Sequence, residues 1–305
     1  QSEMGMLGAW SGHSQWHVYP WPQPTPGYHA ALKQQWDLTV LRDASHPSAN
    51  LYCMSNELYD YTAFRRTAWQ CYHSTKAIKP TALVIYSDGG RHPDMPLDFI
   101  NAEAQVSQEE HVGRPVIQHE FRWWSSYPDV RQRERYCGAM RPYGADLALE
   151  AAAEHGIAHV LPEAAAMSQR LQFVEAKGKM EACRRDFPQL AGICHFNAMD
   201  ANPSPQGVLT EFYEPKVVDA ATWRETNGDT VVLSSLGFDD RVFTGGQTFR
   251  CTLYVSDYSH PPLQSPLLEW RVVCGQRIEA RGQLSYEHRP FTTCPAGCVE
   301  ALLPE

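Results

Sequence analysis

Two carboxylates stand at the ends of short apolar segments in this chain of 305 residues. Residues 50–55 are mostly apolar and too few for a helix, which predicts a buried strand that runs into Asn56 and Glu57. The segment 115–121 (PVIQHEF) predicts a second strand, which ends on Glu120. Side chains at the carboxyl ends of parallel strands point into the mouth of the sheet, so both glutamates are candidates for chemistry.

Two carboxylates about 5–5.5 Å apart can cleave a glycosidic bond with retention of configuration. One attacks the anomeric carbon, and the other protonates the leaving oxygen and then deprotonates a water molecule. The acid needs a raised pKa, which a neighbouring carboxylate and partial burial supply. Glu57 and Glu120 could form such a pair across a sheet mouth. Taken alone, either residue could also be a solvated glutamate at a strand–loop boundary.

The elements that must position these glutamates alternate between strand and helix over residues 4–200, which indicates a parallel sheet. Predicted strands lie near residues 7, 54, 84, 99, 117 and 193, and helical patterns cover 29–43, about 60–78 and 130–188. A (β/α)8 TIM barrel fits this order, with its site at the carboxyl ends of the strands. A closed barrel needs eight strands and six are visible, so we expect the first two to precede Gln1, in the same chain or in a separate one.

The pattern changes at about residue 229, where apolar and polar residues begin to alternate and turn residues recur at short spacing. TVVLSSLGF and FRCTLYVSDYS are examples. This pattern predicts an antiparallel β-sandwich. We therefore expect a partial catalytic barrel over 1–220 and an immunoglobulin-like β-sandwich domain over 221–305.

The composition excludes several classes of function. The net charge of −9 argues against binding nucleic acid, which needs a basic surface. There is no run of 18 or more apolar residues, so we expect no membrane-spanning segment. The nine cysteines are scattered, and Cys294 and Cys298 have no second pair that would complete a zinc site. The sequence thus predicts no metal and no cofactor. It leaves the compartment open, with an extracellular or periplasmic location favoured over a cytoplasmic one.

Four segments resemble, in order, the barrel motifs of glycoside hydrolase family 2. LRDASHPSANLYCMSNEL (41–58) resembles the fourth-strand motif, in which a His-Pro-Ser loop leads into a strand that ends in Asn-Glu. AIKPTALVIYSDGG resembles the fifth strand, RPVIQHEFRWWSSYPDV the seventh, and LAGICHFNAMD with the following SPQGVLTEFYEPK the eighth strand and the exit from the barrel. The resemblance covers roughly 3–218, and the predicted sandwich is similar to the β-domain that often follows this family's barrel.

The resemblance implies roles for three residues. Glu57 would be the general acid/base, Asn56 would hydrogen-bond the 2-hydroxyl of the sugar, and Glu120 would be the nucleophile of a retaining exo-β-glycosidase. Relatives often have a Trp-rich eighth strand, whereas this chain has His195 and Phe196 there. The Asn-x-Lys signature of the glucuronidases is not visible, so the resemblance favours a neutral sugar and a β-galactosidase-like activity.

Several aromatic residues are candidates for binding a sugar ring, because aromatic faces suit its C–H surface. Trp123 and Trp124 directly follow the nucleophile motif, and one of them could instead belong to the core. Trp16, His17 and Trp21 lie in a loop on the expected catalytic side. They could form a wall of the pocket or pack the loop itself.

Three polar residues are further candidates. His195, at the end of the predicted eighth strand, could contact the substrate. Asp200 could bind a hydroxyl or stabilise a turn, and the turn is favoured. Arg42 precedes the His-Pro-Ser turn, and its guanidinium could help to keep the nucleophile ionised.

The expected partners are a carbohydrate substrate and an N-terminal segment or chain that completes the barrel, with no nucleic acid and no membrane. A homo-oligomer is left open. Two alternatives remain: a carbohydrate-binding relative that has lost catalysis, and a subunit whose barrel portion completes another chain. Decayed relatives usually lose one glutamate, and both are present here.

Overall fold

The computed structural model describes residues 2–3, 25–55, 64–88, 94–102, 113–121, 125–187, 190–201, 204–237, 239–264 and 267–305. The chain divides into two compact units. The first contains Gln1–Phe121 and Gln189–Cys194, and the second contains Arg122–Pro188 and His195–Glu305. None of the described helices is both long enough and apolar enough to cross a membrane.

In its described residues, the first unit combines two helices with short strands, most of them in parallel pairs. Its helices are α1 (Pro26–Asp43) and α2 (Arg65–Ile78), and its strands are β1 (Ser2–Glu3), β2 (Leu51–Cys53), β3 (Leu83–Ile85), β4 (Ile100–Ala102), β5 (Val116–Phe121) and β6 (Leu190–His195). One sheet has the order β1-β2-β3, with both pairs parallel, and another has the order β4-β5-β6, with β4 parallel to β5. The strands predicted near residues 54, 84, 99, 117 and 193 are therefore confirmed. The strand predicted near residue 7 lies outside the described residues, and the described strands do not close into a barrel.

Helix α1 begins three residues before its predicted start at residue 29, because of its cap. The Thr25 hydroxyl accepts a hydrogen bond from the backbone N–H of Tyr28 at 3.2 Å. Pro26 occupies the first turn, where its missing N–H costs nothing. The buried Trp36 then joins α1 to α2, since its indole N–H donates to the Thr75 hydroxyl at 2.8 Å.

Strands β2 and β3 of the first unit are buried on both faces. On one face, Tyr52 and Val84 pack with Trp36 and other side chains of α1 and α2. On the opposite face, alternate strand residues form a second apolar cluster, which contains Cys53, Ile85, Phe99 and Ile117. Burial on both faces explains why these strands appear in the sequence as continuous apolar runs.

The described part of the second unit contains three helices followed by antiparallel strands. Its helices are α3 (Tyr143–Glu154), α4 (Leu161–Asp186) and α5 (Ala220–Asn227), with 3₁₀ turns at Val130–Arg135 and Ala158–Val160. The single helical region predicted over 130–188 is thus divided. Gly156, just beyond α3, has a φ of 69°, a left-handed conformation that ends a helix and that glycine adopts without strain.

The strands of the second unit are β7 (Thr230–Ser234), β8 (Thr248–Asp257), β9 (Leu267–Cys274), β10 (Arg277–Ser285) and β11 (Thr292–Leu302). They form an antiparallel sheet of order β11-β8-β7 and an antiparallel β9–β10 pair, which confirms the predicted antiparallel strands. The end of α4 is fixed to this region by two arginines. Arg184 donates to the Ser256 hydroxyl at 3.0 Å, and Arg185 donates to the Ser234 carbonyl at 2.8 Å.

Candidate active site

Glu120 is the residue before the last of β5, and its backbone is unusual. Its φ is 35°, in the region that non-glycine residues rarely adopt, and its side chain is half-buried. Strained backbone of this kind persists where the surrounding structure imposes it and is concentrated at functional sites. Glu120 thus combines an unusual backbone with a half-buried carboxylate, which makes it a catalytic candidate.

A group of polar side chains lies at the carboxyl ends of the neighbouring strands, and we call Ser55, Asp88, Asn101 and Cys194 the strand-end cluster. The first three are buried, and Cys194 is half-buried. Asn101 Nδ2 donates to Asp88 Oδ1 at 2.5 Å and to Cys194 Sγ at 3.7 Å. The backbone N–H of Asp88 donates to the Ser55 carbonyl at 2.9 Å. Ser55 Oγ and Asn101 Oδ1 are buried and make no hydrogen bond in the described structure. The cluster is thus polar at the end of the sheet where parallel α/β proteins build their sites.

The strand-end cluster does not have the composition of a metal site. It supplies one carboxylate and one thiol, and an amide and a hydroxyl complete it. Among the described residues, no group of three or more His, Cys, Asp or Glu side chains is arranged to hold a metal ion.

Most of the predicted site residues lie outside the described residues. They are Asn56, Glu57, Trp16, His17, Trp21, Trp123 and Trp124. Their predicted roles therefore stay predictions. One described range stops at Ser55, directly before the Asn-Glu pair, and another stops at Phe121, shortly before the two tryptophans.

His195 ends β6, and in the second unit it lies against an aromatic residue. The His195 ring and the Trp223 indole of α5 meet edge to face, with centroids 6.1 Å apart. Burial lowers the pKa of His195 to about 3, and the positive charge of Lys216 acts in the same direction. A hydrogen bond with the Asn197 backbone acts against them. The imidazole is therefore neutral near pH 7 and can exchange hydrogen bonds with a hydroxyl, but it carries no charge.

Asp200 forms a buried ion pair with Lys216, with a Nζ–Oδ1 distance of 2.8 Å. The same carboxylate accepts a hydrogen bond from the Gly207 N–H at 2.7 Å. Burial raises the pKa of Asp200 and lowers that of Lys216, and the attraction between the two charges opposes both shifts. The cleft beside Asp200 has a volume of about 30 Å³, too small for a sugar ring. These contacts favour a structural role in the turn over hydroxyl binding.

Arg42 does not support a catalytic carboxylate. It lies in the last turn of α1, and its guanidinium donates to Asp43 Oδ1 at 2.6 Å. Its side chain is 71% exposed. Because α1 leads into the amino-terminal end of β2, Arg42 is at the opposite end of that strand from Ser55. The sequence-based suggestion of a role beside the nucleophile is therefore wrong.

The sequence reasoning missed Asp88 and Cys194. A usable signal existed for Asp88, which follows the buried strand β3 and precedes a Gly-Gly turn. This is the same pattern, a charged residue at the end of an apolar strand, that drew attention to Glu57. Cys194 gave no comparable signal, because cysteines are common in protein cores.

The chain is similar in fold to parts of larger glycoside hydrolases. The β-D-mannosidase from Dictyoglomus thermophilum matches with a TM-score of 0.53 and 11% identity, over 90% of this chain and 37% of that one. The exo-chitosanase CsxA from Amycolatopsis orientalis matches with a TM-score of 0.53 and 12% identity, over 99% of this chain and 38% of that one. The chain thus spans less than two fifths of the length of these proteins. At this identity the likeness concerns the fold alone.

No protein-family model matches the chain. No curated protein is similar to it in sequence.

Proposed function

We propose that this chain carries the catalytic residues of a retaining exo-β-glycosidase of the glycoside hydrolase family 2 type. Glu120 is the nucleophile and Glu57 the general acid/base. The observation that carries the proposal is the strained, half-buried Glu120 at the end of a parallel strand, beside a buried polar cluster. The similarity in fold to a β-mannosidase and an exo-chitosanase supports it.

The reaction proceeds in two displacements. The Glu120 carboxylate attacks the anomeric carbon and forms a covalent glycosyl-enzyme, while Glu57 gives its proton to the departing oxygen. Glu57 then takes a proton from a water molecule, whose oxygen attacks the same carbon and releases Glu120. Two inversions give net retention. Asn56 holds the 2-hydroxyl of the sugar through both steps.

The proposal includes a fold for each part of the chain. The strands of the first unit belong to a (β/α)8 barrel, which forms the catalytic domain over 1–220. The contact between Asn101 of β4 and Cys194 of β6 supports it, because it spans β5 and requires a curved sheet. The two antiparallel groups of β7 to β11 form an immunoglobulin-like sandwich over 221–305.

The substrate is a β-linked neutral sugar, and a β-galactosidase-like activity is the leading choice. Trp123 or Trp124 stacks against the sugar ring. Residues Trp16, His17 and Trp21 enclose the pocket. The neutral imidazole of His195 contacts a hydroxyl.

The test is the loss and chemical rescue of activity in the full-length protein. A panel of 4-nitrophenyl β-glycosides first identifies the best substrate. Glu120→Ala should then nearly abolish turnover, and azide or formate should restore part of it, because a small anion can enter the space of the carboxylate and attack the anomeric carbon. Glu150→Ala, on an exposed position of α3, is the matched control and should keep wild-type turnover. If Glu120→Ala retains activity within about tenfold of wild type, the nucleophile lies elsewhere.

A further inference from the structure

Asn101 reaches across the strand that carries Glu120. It lies on β4 and donates to Cys194 on β6, while β5 lies between them in the sheet. On a flat sheet, residues two strands apart are separated by roughly 10 Å, too far for this contact. The sheet is therefore curved, and Asn101 and Cys194 lie on its concave face, where they bracket β5.

Asp88 joins this bridge to the other sheet of the first unit. Its carboxylate accepts the 2.5 Å hydrogen bond from Asn101, and its backbone N–H donates to the Ser55 carbonyl that follows β2. The cluster thus connects the carboxyl ends of β2, β3, β4 and β6. Asp88 is 2% exposed and Asn101 is fully buried. A buried carboxylate is costly, and hydrogen bonds to a charged group are the stronger kind, so this pair fixes the strand ends firmly.

In the register of β4 and β5, Asn101 lies before Glu120. The register pairs Asn101 with Ile117 and Ala102 with Gln118, so Glu120 is three residues further along β5 than the partner of Asn101. Three residues of strand are about 10 Å. Because Asn101 is fully buried, any effect it has on a reaction at Glu120 is indirect.

We propose that Asp88 and Asn101 are a positioning pair for Glu120. The inference rests on the proposed function, because it takes Glu120 as the nucleophile. The Asp88–Asn101 hydrogen bond holds the end of β5 in the left-handed turn that presents the carboxylate, and the charge of Asp88 contributes to the field at that carboxylate. A displacement of about 1 Å at a reacting group can cost about 10²-fold in rate.

The experiment exchanges the two side chains in the full-length protein. Asp88→Asn and Asn101→Asp each break the amide–carboxylate pair, and the double variant restores it in reversed order. Each single variant should lower kcat about 10- to 100-fold while KM changes less than about threefold. The double variant should recover to within about tenfold of wild type. Asn50→Asp, at the amino-terminal start of β2, is the matched control and should leave kcat unchanged.

The pH profile supplies a readout that a purely structural role would not move. Asn101→Asp puts a second carboxylate in contact with that of Asp88, and because two such carboxylates share one proton, it should shift the acidic limb of kcat/KM less than Asp88→Asn does. Asp88→Asn removes a negative charge and should shift the same limb to lower pH. The double variant has the wild-type charge, and its limb should return.

The outcomes separate the inference from the function on which it rests. If the wild-type protein hydrolyses no glycoside of the panel, the proposed function fails. If the wild type is active and folded single variants keep kcat within about twofold and leave the acidic limb in place, the positioning pair alone is overturned. If the single variants show no cooperative melting, the double variant decides: a folded double variant with about 1% of wild-type kcat or less overturns the pair.

Discussion

Replacing His195 by Gln should remove a large part of the acid sensitivity of this protein's stability. The folded protein holds His195 neutral because burial and the charge of Lys216 oppose its protonation, and its pKa is lowered to about 3. The unfolded chain leaves the imidazole in water, where its pKa is about 6.5. Between these two values the unfolded state binds a proton that the folded state does not. The contribution of His195 to stability is therefore complete above about pH 6.5 and is lost as the pH falls toward 3.

The size of the effect follows from the width of that window. Each pH unit inside it costs about 1.36 kcal/mol, so two units, from about pH 6.5 to 4.5, lower the free energy of unfolding by about 3 kcal/mol. Glutamine also offers a donor and an acceptor but does not titrate. The free energy of unfolding of His195→Gln should thus fall less over this range than that of the wild type.

Urea denaturation at about pH 7, 5.5 and 4.5 measures the difference. Carboxylates and other histidines titrate in both proteins, so the comparison between wild type and variant isolates His195. His159→Gln removes an imidazole from an exposed position and is the matched control. If the free energies of unfolding of the wild type and His195→Gln decline in parallel, His195 is not held neutral by burial and the reasoning fails.

Two further predictions concern the buried ion pair and the acid/base. Lys216→Met leaves the Asp200 carboxylate buried without its cation and should lower the free energy of unfolding by about 3–5 kcal/mol. Asp200→Asn combined with Lys216→Met should recover more than half of this loss, as measured by urea denaturation. A double variant as unstable as the single one would contradict this. Glu57→Ala should reduce kcat/KM far more for glycosides with poor leaving groups than for activated aryl glycosides, because an acid matters where the leaving oxygen needs its proton; equal losses on both would remove Glu57 from the acid role.

The strands could be predicted from the sequence because they are buried on both faces. Segments such as Leu83–Ile85 and Val116–Phe121 are apolar and too short for a helix, so a buried strand is the favoured prediction. The antiparallel strands after residue 229 could be predicted equally well, because one side of each carries polar residues, so that apolar and polar residues alternate in the sequence. Helix boundaries were less accurate, since they depend on caps such as Thr25 and on the left-handed Gly156.

The site could be predicted in part. Glu120 was found because a charge at the end of an apolar strand is visible in the sequence. Its positive φ was not, because residue type encodes a left-handed turn for glycine and not for glutamate. The contacts of Asn101 with Asp88 and Cys194 depend on which strands are neighbours and on the curvature of the sheet, which no local pattern specifies. The role suggested for Arg42 was wrong because of a local contact, since the adjacent Asp43 holds its guanidinium on the helix.

Covalent trapping tests the central claim most directly. A 2-deoxy-2-fluoro β-glycoside with an activated leaving group, built on the best sugar of the panel, reacts once with the nucleophile and leaves a glycosyl-enzyme that hydrolyses slowly. Mass spectrometry of the digested protein then locates the added sugar. The proposed mechanism predicts one sugar per protein, on the peptide that contains Glu120. A sugar attached to a peptide without Glu120 would contradict it.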